Sequence, residues 1–367
     1  MERDIAYHVP GRDKMKNWLL VILIISGSVS AICGCLDEER EGTVTVNDML
    51  GREVEVPDKI DRIIGIEAGA LRLLVYMQHK DKVVGIEDNE KATGAGGRAK
   101  PYVFANPDLL DLPSIGPMHG GDPELIVAAQ PDVIFWTYTD NAKADDLQSK
   151  TGIPVIALNY GDLNKNRETL YEALELVGEV MGNRERASEV RTFIDGRIRE
   201  LDEMTSDSNS TKVYVGGIGF RGAHGMLSTE PSYSSLEFVN GNNVASSLGL
   251  EHAFVDKEKI LDWNPEVIFV DEGGLSIAET ELSDGTYDTV EAVESGRVYA
   301  VLPYNWYTTN YGTVLANSYY IGKILYPEDF TDIDPIEETD SIYEFLVGEG
   351  VYQQMADDFG GFKELEV

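Results

Sequence analysis

The chain has 367 residues, 43% hydrophobic and 26% charged, a globular composition of a length that fits two lobes. Asp and Glu number 65 against 30 Lys and Arg, a formal charge of −35 that repels phosphate backbones and anionic lipid headgroups and so excludes general nucleic-acid binding. The only cysteines are Cys33 and Cys35, which excludes disulfides, thiolate metal sites and cysteine nucleophiles beyond residue 35.

Arg12, Lys14 and Lys16 precede an apolar run that opens Trp18-Leu19-Leu20-Val21-Ile22-Leu23-Ile24-Ile25 and continues to Ile32. At about 15 residues the run is short for a bilayer span, which needs ~20, and it suits the apolar region of a signal peptide. It ends Ile32-Cys33-Gly34-Cys35, which resembles a lipoprotein cleavage box. That resemblance implies lipidation at Cys35, since Ile32 lies three before it and Gly34 just before it, whereas Ile32 fits poorly directly ahead of Cys33. Met15-Lys16 would also open such a signal. Residues 1–35 are therefore expected to be the signal peptide, and the polar residues 36–42 a tether.

Residues 43–57 alternate β-branched and polar side chains about Asn47-Asp48, which predicts a hairpin. A buried strand is expected at residues 62–66, ending in Glu67-Ala68-Gly69, then a helix from Ala70 to Met77 and another strand at residues 83–86. Short apolar runs alternating with helices indicate βα units and a mostly parallel sheet.

A repeat dominates the pattern. Asp122-Pro123-Glu124-Leu125-Ile126 leads to Pro131-Asp132-Val133-Ile134-Phe135-Trp136, and Asp256-Lys257-Glu258-Lys259-Ile260 leads to Pro265-Glu266-Val267-Ile268-Phe269-Val270. The two copies are offset by 134 residues, and each reads as a short helix, a terminating Pro and a buried strand. Between them Ala187, Val190, Ile194, Ile198 and Leu201 mark one amphipathic helix over residues 184–204. A polar loop follows, in which Asn209-Ser210-Thr211 fits a glycosylation acceptor. The division is thus a first α/β lobe over residues 43–165, a helical connection over 166–211 and a second lobe over 212–367. Beyond Asp334 an apolar helical pattern (Ile342, Phe345, Leu346) breaks at Gly348 and Gly350 and resumes at Val351-Tyr352; it is expected to pack on the second lobe.

The lipoprotein signal, the duplicated Glu-x-Ile…Pro-(Asp/Glu)-Val-Ile unit and the single interlobe helix resemble the substrate-binding proteins of ABC importers for iron–siderophore, haem and cobalamin. Asp48-x-x-Gly51-Arg52, Asp81-Lys82-Val83-Val84-Gly85, Leu112-Pro113-Ser114-Ile115-Gly116 and Ser295-Gly296-Arg297-Val298-Tyr299 add to the match. The resemblance implies an α/β fold of two Rossmann-like lobes joined by a single long α-helix, with a ligand cleft between them. It implies a monomer, lipid-anchored to the outer face of the cytoplasmic membrane, that delivers its ligand to a permease dimer driven by a cytoplasmic ATPase. It also assigns Glu124 and Glu258 to arginine pockets on that permease. On residue type alone, a carboxylate in a first helical turn is already favoured by the helix dipole. The segment Ser228-Thr229-Glu230-Pro231-Ser232-Tyr233 departs from the family pattern.

Ligand loops are expected at the carboxyl ends of the parallel strands. In the first lobe they offer residues 67–69, the glycine-rich stretch 93–98 with Arg98, Trp136 and Tyr138, and Tyr160. In the second they offer Arg221 and His224, residues 272–274, and the cluster Tyr304, Trp306 and Tyr307. Arg98, Arg221 and Lys100 are the cations near these loops; aromatic rings suit a flat or bulky ligand, and Arg suits a carboxylate or catecholate. His79, His119, His224 and His252 show no metal-ligand spacing, so no directly bound metal is expected; His79 and His252 are expected in surface turns. No nucleophile elbow or phosphate loop supports an enzyme, and no cofactor is implied. The expected ligand is a metal chelate, a ferric siderophore first, with a corrinoid or haem as the alternative. A sensor or scaffold lipoprotein of the same fold is the non-transport alternative.

Overall fold

In the computed structural model, which describes residues 42–92, 99–205, 211–249 and 252–367, the hairpin comes first. Strands β1 (Thr43–Asn47) and β2 (Glu53–Pro57) pair antiparallel, Val46 opposite Val54. The turn is organised by Asp48, whose buried carboxylate accepts the N–H groups of Leu50 at 3.0 Å and Arg52 at 2.9 Å and meets the Arg52 guanidinium at 2.7 Å. Gly51, at φ +77, takes the left-handed step that the turn requires. The signal region with Cys33 and Cys35, the glycine run with Arg98, and Asn209 lie outside the described residues.

The first lobe is a three-stranded parallel sheet of β3 (Ile63–Ile66), β4 (Val133–Thr137) and β5 (Val155–Leu158), in that order. Every residue of these strands except the polar Thr137 is apolar or glycine, and all are buried, as strands covered by helices on both faces must be. Residues 83–86 form no strand: Val83 bridges Ile63 and Ile86 bridges Ser114, each once. Gly85, between the two bridges, packs so close to Ile115 that an added Cβ would stand 2.5 Å from its side chain.

The second lobe contains β6 (Lys212–Gly216), β7 (Ser228–Thr229), β8 (Asn242–Asn243), β9 (Ala253–Phe254), β10 (Val267–Asp271), β11 (Val298–Val301) and β12 (Lys363–Glu364). Its main sheet runs β12-β11-β10-β6-β8, parallel except for β12, while β7 and β9 form a separate antiparallel pair.

The duplication extends to the caps. The helices Pro123–Ala129 and Lys257–Trp263 and the strands β4 and β10 each keep the 134-residue offset to both ends. Asp122 and Asp256 are both N-caps whose carboxylates accept backbone N–H groups, and Gln130 and Asn264 both end their helices in the left-handed region, at φ +49 and +46. Asp132 accepts the N–H groups of Asp61 and Arg62, and its counterpart Glu266 accepts that of Lys212, so each copy ties its strand to a neighbour in the same way.

The helix Arg184–Met204 joins the lobes, about 30 Å long at 1.5 Å per residue, with Ala187, Val190, Ile194 and Leu201 buried along one stripe. The tail departs from expectation. Its helix Pro335–Val347 packs not only on the second-lobe helix Tyr311–Leu325 but on the first lobe and the spine as well. Asn106 donates to the Val347 carbonyl at 3.0 Å, Arg186 donates to that of Phe345, and the Phe345 ring stacks on Phe193 with centroids 3.9 Å apart. Its buried stripe of Thr339, Ile342, Tyr343, Leu346 and Val347 is flanked by the half-buried Phe345, so its apolar surface is wide enough to meet more than one neighbour.

Candidate functional site

The strand ends of the two lobes face one another, and the loops that leave them meet directly. Beyond β11, Tyr307 donates its hydroxyl to Glu87 of the first lobe at 2.6 Å. The Tyr138 and Thr308 hydroxyls share a hydrogen bond at 2.8 Å, and the Tyr160 hydroxyl donates to the Thr309 carbonyl at 2.7 Å. Tyr311 returns a bond to the Tyr160 carbonyl at 2.7 Å. Behind this contact, His119 Nδ1 meets Glu67 Oε1, and the His119 ring lies 6.1 Å from that of Tyr307.

The backbone is strained where these loops meet. Ten described non-glycine residues have positive φ; five of them, Glu67, His119, Tyr138, Tyr307 and Thr308, are on the loops that meet, and a sixth, Arg221, is on the second-lobe loop after β6. Left-handed conformations cost such residues roughly 1–2 kcal/mol each and persist where surrounding structure fixes them, which is how ligand clamps are built.

The expected ligand residues divide. Tyr138, the first residue beyond β4, is 53% exposed. Arg221 is exposed, with its guanidinium 5.4 Å from the Phe220 ring centre and no ion pair among the described residues. His224 Nε2 lies 2.8 Å from the Phe220 carbonyl, and its ring meets Phe254 edge-on; Phe220 in turn stacks on His252 at 4.2 Å. Phe220, His224, His252 and Phe254 thus form an aromatic rim below Arg221. Trp306 and Tyr307 are half-buried between the lobes.

Trp136 and Tyr304 stand elsewhere than expected. Trp136 lies within β4, where alternation turns its ring into the apolar layer with Ile64, Ile66 and Ile134. Tyr304 is buried: its hydroxyl donates to Glu230 and its ring packs edge-on to Tyr233 at 5.5 Å. The segment that departs from the family pattern, residues 228–233, is therefore what holds Tyr304 away from the cleft. Lys100 likewise does not stand as an exposed cation beside the ligand loops. Its ammonium is buried, donating to the carbonyls of Asn89, Glu90 and Ala92, and it sits 3.8 Å from the Glu90 carboxylate. His79, expected in a surface turn, is buried, and burial lowers its pKa to about 4.

Glu87, Thr308 and Arg72 were not singled out by sequence reasoning, and nothing in the spacing marks them. Glu87 is buried among donors, accepting the N–H groups of Glu67 at 3.0 Å and Gly120 at 3.3 Å besides Tyr307. Burial outweighs those bonds and raises its pKa to about 7. Burial likewise raises Glu230 and Glu272 to about 8, with Asp271 adding to both. Among the described residues no three His, Cys, Asp or Glu side chains are grouped to hold a metal ion.

A family model described as periplasmic binding protein matches residues 63–304, which include both copies of the repeat and end just before the loop of Trp306 to Thr309. The chain belongs to the periplasmic binding protein family. Within that family it is similar to the molybdate-binding protein MolA of Haemophilus influenzae, with 24% identity over 88% of this chain and 93% of that one. The structure of MolA bound to molybdate superposes with a TM-score of 0.67 and 22% identity, covering 84% of this chain and 98% of MolA. A periplasmic solute-binding protein of Veillonella parvula gives 0.68 at 18% identity, covering 87% and 97%. Helicobacter pylori CeuE with Ni(II) bound gives 0.58 at 19%, covering 83% and 96%. The two-lobed fold expected from the sequence is thus the family fold.

The raised carboxylates have a consequence for stability. In the unfolded chain they titrate near 4.3; in the folded protein Glu87 takes about 7 and Glu230 and Glu272 about 8. A folded pKa above the unfolded one means stability fully present below about pH 4 and lost as pH rises through 7 and 8. Thermal melts should therefore fall in midpoint from pH 5 to pH 9. Glu272→Gln should flatten that fall, gaining about 1–3 kcal/mol over the parent at pH 9; parallel pH profiles of the two proteins would refute the assignment.

Proposed function

We propose that this protein is the exported substrate-binding component of an ABC importer, capturing a metal chelate between its lobes, a ferric siderophore first, and delivering it to a membrane permease. The observation that carries this reading is the concentration of left-handed, non-glycine residues on the loops that face each other across the lobes. The side chains there suit such a ligand. Tyr138, Trp306, Tyr307 and the Phe220–Phe254 rim present ring faces and edges, and Arg221 supplies a guanidinium for a carboxylate or catecholate. Arg98 adjoins the same region in sequence.

For delivery, Glu124 and Glu258 are both exposed at matching positions of the capped, duplicated helices, where each offers a carboxylate to an arginine pocket. Lipidation at Cys35 would hold the protein at the outer face of the cytoplasmic membrane, beside that partner. A second reading, a molybdate-type oxyanion, is favoured by the similarity to MolA along most of both chains and by the Arg221 guanidinium, which has no ion pair among the described residues.

The test is a titration of purified residues 36–367 with a ferric tris-catecholate, molybdate, cobalamin, haem and nickel chloride, following tryptophan fluorescence. Saturable quenching by the ferric chelate at the lowest concentration, lost in Arg221→Ala, is expected. Molybdate saturating first would replace the chelate with the oxyanion, and saturation by nickel alone would overturn both readings.

A further inference from the structure

One buried cation at the lobe junction is engaged in a way that core packing does not require. Arg72, in the helix Ala70–Tyr76, is fully buried, yet none of its hydrogen bonds or ion pairs among the described residues is to a carboxylate. Desolvating a guanidinium without such a partner is costly, so its donors must be met by other groups. Those of the two terminal nitrogens are met, apart from the Tyr160 hydroxyl of its own lobe, by the other lobe, and Nε has no hydrogen-bond partner among the described residues. Nη1 donates to the Tyr160 hydroxyl and to the Thr309 carbonyl at 2.7 Å, while Nη2 faces the carbonyls of Trp306, Tyr307 and Thr308 at 3.0, 3.3 and 3.5 Å. The rings of Tyr102 and Tyr160 lie 5.0 and 5.7 Å from the guanidinium carbon.

Four consecutive carbonyls of one second-lobe loop therefore converge on one first-lobe side chain. Such convergence needs a tightly curled backbone, and the curl is supplied by Tyr307 and Thr308 at φ +46 and +65. A β-branched threonine in that region is a marked outlier, so the loop would not hold this shape unaided. The same curl aims the Tyr307 hydroxyl at Glu87 and the Thr308 hydroxyl at Tyr138.

We propose that Arg72 is the positioning residue of the ligand loop: without touching ligand, it gathers the carbonyls of residues 306–309 and so holds Trp306, Tyr307 and Thr308 in their places across the cleft. This rests on the reading above in that residues 306–308 meet the ligand. Its planar fork matters as much as its charge, because two terminal nitrogens spread their donors over all four carbonyls, whereas a lysine ammonium offers three donors from a single point.

Hydrogen exchange followed by mass spectrometry on the purified protein, with no ligand added, separates the two ideas. In Arg72→Gln, exchange in peptides covering residues 305–310 should rise about tenfold while peptides from β4 and β10 hold their parent rates. Arg72→Lys should fall between. The affinity for the ferric tris-catecholate should weaken about tenfold in Arg72→Gln, in step with the loop. An unchanged loop, or acceleration spread evenly over both lobes, would overturn the assignment. A loosened loop with unchanged chelate affinity would uphold the positioning role and remove residues 306–308 from the ligand site. If Arg72→Gln does not fold, Tyr160→Phe removes one of its partners with the charge retained, and faster exchange confined to residues 305–310 is again required.

Discussion

Gly274→Ala should cost about 3 kcal/mol, the upper end of the range for overpacking, although alanine is the mildest side chain that could be added. Gly274 follows β10 at φ −120, a conformation alanine adopts freely, so the objection is purely one of space. An added Cβ would stand 1.8 Å from the His224 carbonyl oxygen and 2.5 Å from that of Gly217. Both are backbone atoms of the loop that carries Arg221 and His224, and no rotamer change can clear them. The chain must separate there, so ligand affinity should fall together with the urea midpoint. Gly196→Ala is the control: it lies in the spine helix with nothing within 4 Å, and should gain about 0.5–1 kcal/mol. Equal midpoints for the two variants would show that the loop yields more easily than these distances allow.

Asp48→Ala should be comparably severe, at about 3–5 kcal/mol, because it breaks a buried, multiply bonded ion pair. Its carboxylate accepts from Leu50, from Arg52 through both backbone and side chain, and from the Ala157 N–H of β5 at 3.1 Å. The residue thus closes the hairpin turn and fastens the hairpin to the strand that leads to Tyr160. Asp48→Asn, which keeps the shape without the charge, should lie between the parent and Asp48→Ala in urea unfolding. A loss below about 1 kcal/mol for the alanine variant would mean that Asp145 and the Val155 carbonyl, which also hold Arg52, suffice on their own.

The fold was legible where its chemistry is local. Asp122 and Asp256 announce helix starts because a side-chain carboxylate satisfies free N–H groups, and Pro131 and Pro265 exclude helix beyond them. The spine helix was bounded correctly from its apolar spacing alone. The site was less legible because it depends on backbone states that residue identity does not disclose. Tyr138 and Trp136 are neighbours of similar character, and only the point at which the chain leaves β4 decides that one is exposed and the other buried. Likewise Tyr304 belongs to an aromatic cluster that reads as one unit, but Glu230 and Tyr233, over 70 residues earlier, draw it inward. Arg72 sits among the apolar residues Leu71, Leu73 and Leu74, and its carbonyl partners lie more than 230 residues later in the chain.

The helix Pro335–Val347 bears on how such a chain reaches its native state. Its contact with Asn106 joins residues 241 apart, so the early α/β unit stays incompletely covered until the late residues have been synthesised and have returned to it. Closing loops of that length is slow, and a chain with such distant contacts spends longer with apolar surface unshielded. The duplicated halves are therefore not two independent folding units. They are committed together, by a segment that belongs to neither copy of the repeat.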